Sequence, residues 1–263
     1  MKSNRHLAGR SMDTEKPVTA CLLIIGNEIL SGRTQDANLS YIAKGLNEVG
    51  VRLMEARVIP DVAETIVATV NEVRAEFDYV FTTGGIGPTH DDITSECVAR
   101  AFGVPLILHP EAKALLEAGY KPGELNEARL RMAHVPEGAA LVRNPVSRAP
   151  GFRIGNVFVM AGVPQIMRAM FDGIRHELKG GRPVQSRTVA CHLAEGTLAK
   201  DLGEVQGRYP DLEIGSYPFY RQGQFGVSLV LRGTDAARLD EAAGDVAAMI
   251  RRLGGSPIEE TAT

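Results

Sequence analysis

The chain has 263 residues, long enough for a main domain, a smaller one beside it and a sizeable hydrophobic core. A formal net charge of -3, from 29 basic and 32 acidic residues, excludes a global field that would draw in nucleic acid or an anionic membrane surface, so an anionic ligand must be held locally. There is no Trp, aromatic residues make up 5%, no apolar run reaches the roughly 20 residues of a membrane span, and the polar first 16 residues lack a signal-peptide core, so a cytoplasmic protein binding neither nucleic acid nor membrane is expected.

Residues 1–16 read as a disordered leader. Val18 to Ile25 is an unbroken β-branched and aliphatic run, the pattern of a parallel strand covered on both faces. Asp36 caps a helix whose apolar positions Leu39, Ile42, Ala43, Leu46 and Val49 follow the 3.6-residue period, Gly50 stops it, and Val51 to Ile59 returns as a strand. Asp61 with Glu64 is a capping-box-like start for a helix through Ala75. A strand over Tyr79 to Thr83, a helix over Thr94 to Phe102 and a strand over residues 104–108 continue the cycle. This alternation predicts a doubly wound, mostly parallel α/β sheet, whose ligands bind off the carboxyl ends of its strands.

Residues 110–133 are polar-helical with an interruption at Tyr120-Lys121-Pro122-Gly123. A Pro-containing loop at residues 144–151 precedes a strand over Val157 to Met160 and a helix over residues 165–178. The breaker cluster Gly180-Gly181-Arg182-Pro183 closes a first domain spanning residues 17–180. Residues 187–253 then read as β-α-β-β-α, a smaller α+β domain, with residues 254–263 a loose tail. Cys21, Cys97 and Cys191 sit in apolar runs without metal-ligand spacing and read as small buried hydrophobes.

The segment richest in chemistry is Thr83-Gly84-Gly85-Ile86-Gly87-Pro88-Thr89-His90-Asp91-Asp92, which joins a strand to a helix. Its glycines free the backbone to turn amide N–H groups toward an anion, and the following helix terminus adds its dipole, so Thr83, Gly84, Gly85, Gly87, Pro88 and Thr89 are candidate phosphate contacts. Asp91 and Asp92 beside such an anion would repel it unless a divalent cation mediates, and both are candidate metal ligands and catalytic residues. Gly26-Asn27-Glu28 ends the first strand on the same edge. Glu28 in an apolar setting needs a partner, which makes it a third catalytic candidate. Asp61 ends the second strand there, as a ligand contact or only a cap. Asn144, Arg148 and Gly162, in later turns on that rim, complete the ligand candidates. His90 is an exposed loop histidine or a ligand contact. The loop lacks the ending of a P-loop, the first turn is no dinucleotide fingerprint, and no nucleophile elbow is present.

Taken in order, Gly26-Asn27-Glu28-Ile29-Leu30, the segment from Thr83 to Thr94, Asn144-Pro145-Val146, Ala149-Pro150-Gly151-Phe152 and Gly162-Val163-Pro164 resemble the signature segments of the molybdopterin-binding-like domain of MogA and MoaB proteins, and in particular of the amino-terminal region of the CinA family. The resemblance covers about residues 18–233. Ala161 replaces a proline usual in the family, and Ala194-Glu195-Gly196-Thr197 departs from its glycine-glutamate-serine run. In the MogA-like pattern Asp92 and Asp61 match the family's aspartates, whereas Asp91 and the Gly-Asn-Glu turn follow the CinA pattern. The deamidase domain that follows in full-length CinA proteins has no counterpart here, so deamidation is not expected.

The resemblance implies either metal-dependent hydrolysis of ADP-ribose or FAD, or binding and adenylylation of molybdopterin, and a homo-oligomer. The leading expectation is a pyrophosphate hydrolase using Mg²⁺, Mn²⁺ or Co²⁺ on a dinucleotide-like substrate. A molybdopterin-binding protein and a non-catalytic nucleotide sensor are the rivals.

Overall fold

The computed structural model describes residues 16–121, 123–221 and 223–260, so the expected leader, Lys16 apart, lies outside the described residues. The chain divides into two compact units, Met1–Gly181 and Arg182–Thr263. The first unit runs β1 (Val18–Ile25), α1 (Asn27–Leu30), α2 (Leu39–Glu48), β2 (Val51–Ile59), α3 (Ala63–Glu76), β3 (Tyr79–Thr83), α4 (Thr94–Phe102), β4 (Leu106–Leu108), α5 (Pro110–Gly119) and α6 (Glu127–Leu130). A 3-10 turn at Arg131–Ala133 leads to β5 (His134–Pro136), β6 (Ala140–Val142), β7 (Gly151–Ile154), β8 (Val157–Met160) and α7 (Pro164–Ile174). Its main sheet has the order β2-β1-β3-β8-β7-β6. The first four strands are parallel, β7 pairs antiparallel with β8, and β6 pairs antiparallel with β7 and so runs with the first four.

The unbroken apolar run of β1 serves two cores at once. Ala20, Leu22 and Ile24 project into a layer with Ile42 and Leu46 of α2 and Met167 and Phe171 of α7. Cys21, Leu23 and Ile25 project into the opposite layer with Ile66 and Val70 of α3 and Cys97 and Val98 of α4. Fully burying one leucine is worth about 2 kcal/mol, so Leu22 and Leu23 each anchor one layer. Phe81 joins β3 to the first layer, stacked on Phe158 at 5.2 Å and edge-on to Phe171 at 5.9 Å. The three cysteines are free and buried, and burial pushes the Cys21 thiol up to about 12 and the Cys97 thiol to about 11.

Asp36 does cap α2: its Oδ1 accepts from the amides of Leu39 at 2.8 Å and Asn38 at 3.2 Å. Three expectations need correction. Asp61 does not cap α3, whose first turn receives no side-chain bond. The strand expected over residues 104–108 shortens to β4, which leaves the main sheet and pairs antiparallel with β5. Pro105 has no N–H to give a central ladder, and Leu106 and Leu108 are exposed, as a one-sided ribbon requires. The last helix ends at Ile174 and tightens into a 3-10 turn at Arg175–Glu177.

The second unit runs β9 (Gln185–Cys191), α8 (Glu195–Arg208), β10 (Glu213–Arg221), β11 (Gln224–Gly233), α9 (Ala236–Arg252) and β12 (Ile258–Glu260). Its antiparallel sheet has the order β10-β11-β9-β12. Val189, Leu229 and Leu231 pack beneath Leu198, Leu239 and Ile250. Asp235 caps α9 through the Arg238 amide at 3.1 Å. The loose tail is corrected in part, because β12 pairs with β9 and covers what would otherwise be an open edge. Among the described residues no helix is long and apolar enough to cross a membrane.

Candidate functional site

In the order β2-β1-β3-β8 the chain winds from β1 outward to β2, then crosses back to the other side of β1 as β3. The carboxyl ends of β1 and β3 therefore flank a topological switch point, where neighbouring connections diverge and leave a crevice. The glycine loop leaves β3 there, and the Gly26-Asn27-Glu28 turn leaves β1 beside it.

Close approach dictates the glycines of the loop. Gly84 has φ +101°, and a Cβ on it would lie 2.1 Å from the Ile25 carbonyl oxygen; Gly85 has φ +68°. The Gly84 amide donates to the Met160 carbonyl at 3.2 Å, while the Thr94 hydroxyl and amide return to the Gly84 and Gly85 carbonyls at 3.1 and 3.0 Å. These bonds pin both ends of the loop. The amides of Gly85, Ile86 and Gly87 between them donate to no group among the described residues. Three consecutive N–H groups without a partner there, ahead of the α4 terminus, are free donors of the kind an anion takes.

The carboxylates are set by the loop itself. Asp92 Oδ2 accepts the Thr89 amide at 2.8 Å and the Thr89 hydroxyl at 2.5 Å, which leaves Oδ1 unbonded. Any side chain at Gly87 would meet that carboxylate, since a Cβ would lie 2.6 Å from Oδ2. Asp91 is exposed, and the Thr89 hydroxyl, its own backbone amide and nearby His90 hold its carboxyl below the usual carboxylate range. His90 is solvent-exposed, with Nδ1 3.9 Å from Asp91 Oδ1.

Asp61 takes a role that capping statistics do not suggest: its Oδ2 accepts the Asn27 amide at 2.8 Å and, with the Gly26 amide bonded to Ile59 at 3.1 Å, clamps the first turn to the end of β2. Glu28 corrects an expectation, because its carboxylate is exposed, bonded to no group among the described residues and folded back over Gly26. Gly162 closes on the loop, where a Cβ would lie 3.3 Å from the Gly84 Cα, and its carbonyl accepts Asn38 Nδ2 at 2.8 Å.

Asn144 turns its side chain into its own loop. Its Nδ2 donates to Ser147 Oγ and the Ala149 carbonyl, and its Oδ1 accepts the amides of Val146 and Ser147, so all four of its bonds stay inside its own loop. Arg148, in the left-handed region at φ +67°, packs its side chain on Gly119.

The structure adds residues that sequence spacing could not supply. A cavity of about 200 Å³ beside Asp92 is walled by Ile86, Ser95, Glu96, Arg131 and His134. The last two arrive on the 3-10 turn after α6 and on β5, more than 35 residues beyond the loop in sequence. A smaller cavity of about 60 Å³ at the switch point is lined by Glu28, Asp36, Asn38, Thr83 and Gly162. A cavity of about 320 Å³ in the second unit is lined by Arg187, Asp240 and Glu259, the first two paired with each other at 2.7 Å.

Residues 21–179 match the family model described as a probable molybdopterin binding domain, and residues 183–253 match the middle domain of FAD synthase. A protein of Archaeoglobus fulgidus is 38% identical over 197 residues, 75% of this chain and 84% of that one. The CinA-like protein of Geobacter sp. (strain M21) is 36% identical over 249 residues, 89% of this chain and 58% of its own length, so the chain spans little more than half of that relative. Among solved structures, the protein CinA of unknown function from Thermoplasma acidophilum aligns at a TM-score of 0.58 with 32% identity, over 61% of this chain and 98% of that one. A glycine loop and acid pair at the switch point of a doubly wound sheet thus coincide with a family match over most of the first unit, and the chain belongs to the molybdopterin-binding domain family, as a CinA-like member with a MogA/MoaB-like first unit.

Proposed function

We propose that the chain hydrolyses the pyrophosphate of a dinucleotide-like substrate of the ADP-ribose or FAD class. The carrying observation is the juxtaposition of three unpartnered amides, Gly85 to Gly87, with the carboxylates of Asp91 and Asp92. Amides attract a phosphate and carboxylates repel it: two like unit charges 4 Å apart repel by about 4 kcal/mol at an effective dielectric of 20. A divalent cation reconciles the two.

The residues fit a cation of the magnesium type. Among the described residues no three His, Cys, Asp or Glu side chains gather into a cage, and Mg²⁺ is commonly held by one or two carboxylates with phosphate oxygens and water as the remaining ligands. Asp92 Oδ1 and the exposed Asp91 carboxylate would supply those protein ligands. Such a cation polarises a phosphoryl oxygen and makes water a stronger nucleophile. The loop amides hold the phosphate in place, and Thr89 locks the Asp92 carboxylate with Oδ1 free. Asp61 fixes the turn that carries Glu28 on the same rim. The likeness of residues 183–253 to the FAD synthase middle domain supports the FAD class.

Incubating the protein with ADP-ribose, FAD or NAD and Mg²⁺, Mn²⁺ or Co²⁺ should release AMP. No AMP from folded protein under any of these conditions would sink the reading. The description of the first-unit family favours a second reading, molybdopterin binding with adenylylation, which expects tight pterin binding and ATP-dependent product formation. A nucleotide sensor instead expects thermal stabilisation by ligand without cleavage.

A further inference from the structure

The small cavity at the switch point contains an unresolved polar problem. Asn38 is 4% exposed and Thr83 1% exposed, yet Asn38 Oδ1 and Thr83 Oγ1 have no hydrogen-bond partner among the described residues. Buried polar atoms are normally paired, and an orphan calls for a water, an ion or a ligand group. Both residues line the same cavity, and the orientation of Asn38 is settled: its Nδ2 donates to the Gly162 carbonyl at 2.8 Å, so the atom left over is an acceptor. Glu28, on the same wall, adds an unbonded carboxylate. The lining therefore asks for hydrogen-bond donors.

Two properties narrow the guest. Glu28 and Asp36 make the cavity unfavourable for phosphate, which the amides of Gly85 to Gly87 suit instead. A volume of about 60 Å³ admits a pair of hydroxyl groups and is too small for a purine, flavin or pterin ring. Acceptor side chains beside a phosphate-binding glycine loop are also a general way of recognising a ribose. We propose that Asn38, Thr83 and Glu28 form a subsite for the vicinal hydroxyl pair of a ribose whose phosphate rests on the glycine loop. This assignment rests on the nucleotide reading above and gives it a specificity determinant: the site selects ribose over deoxyribose through groups absent from the glycine loop's amide cradle. Thr83, an expected phosphate contact, becomes a sugar contact.

Calorimetric titration of ADP, 2′,3′-dideoxy-ADP and pyrophosphate, each with Mg²⁺, into the wild-type chain and Thr83→Val tests it. The wild type should bind ADP at least tenfold more tightly than the dideoxy nucleotide. Thr83→Val, which replaces an unpaired hydroxyl with a methyl of the same shape, should keep or raise Tm, bring that ratio within about threefold of unity and leave pyrophosphate affinity unchanged. Glu28→Ala, at an exposed position, is the second variant and should lower the ratio at least threefold. Equal wild-type affinity for the two nucleotides, or a ratio unchanged in both variants, overturns the subsite while leaving the pyrophosphatase reading intact. Failure of both ADP and pyrophosphate to bind overturns the reading and the subsite together.

Discussion

Two loops at the ends of strands in the first unit use similar residues to opposite ends. The loop at residues 144–151 is organised by Asn144, which spends all four of its hydrogen bonds inside the loop. The loop from Gly84 to Asp92 is also held at both ends, by Met160 and Thr94, yet leaves three amides and one carboxylate oxygen without partners among the described residues. Both segments are polar turns with a proline and an amide or carboxylate side chain. What separates them is satisfaction: a loop that completes its own hydrogen bonds is architecture, and a rigid loop that withholds some of them is prepared for a guest.

The contrast can be broken at its strongest point first. Asp92→Asn keeps an acceptor for Thr89 but loses the charge, so turnover should fall on the order of 10³-fold, about 4 kcal/mol of transition-state stabilisation, with little change in Tm. Unchanged AMP release would remove Asp92 from the chemistry. Gly84→Ala forces a Cβ toward the Ile25 carbonyl in a left-handed conformation and should destabilise the first unit by about 3 kcal/mol in urea unfolding. Asn144→Ala should cost about 2 kcal/mol of stability by the same measurement. If the loop is architecture alone, its Kd for ADP stays at the wild-type value; a tenfold weaker Kd would erase the distinction between the loops. Glu28→Gln, at an exposed carboxylate without a protein partner, should leave stability within about 0.5 kcal/mol while slowing AMP release roughly tenfold. Equal losses of stability and rate would make Glu28 structural.

Much of the first unit is legible in sequence because β1, β3 and β8 are covered on both faces and read as runs of apolar and β-branched residues, while the edge strand β2 is marked by its β-branched ends and the helix stop before it. Val18–Ile25, Val51–Ile59, Tyr79–Thr83 and Val157–Met160 occupy the strands expected of them. β4, β5 and β12 were harder to read or to place, since three-residue strands carry too few alternations to define a period. The glycine loop was recognisable from its spacing between strand and helix. Asp61 is ambiguous in sequence because a carboxylate before a helix has the same local signature whether it caps that helix or reaches across to Asn27. Arg131 and His134 carried no signal at all, being placed beside Asp92 by an excursion that leaves the sheet and returns.

The sequence by itself determined the doubly wound sheet and the place of its anion loop, because hydrophobic period, glycine freedom and chain order are local or nearly local properties. It also carried the family resemblance, in motifs met one after another along the chain. Only the tertiary structure decided which polar groups remain unpaired. Asn144 and Asn38 are the same residue type, and one is saturated by its neighbours in sequence while the other, lining a cavity with Thr83, keeps a buried acceptor without a partner among the described residues. Hydrogen-bond satisfaction depends on partners brought from distant segments, and a residue's type fixes only how many it can take.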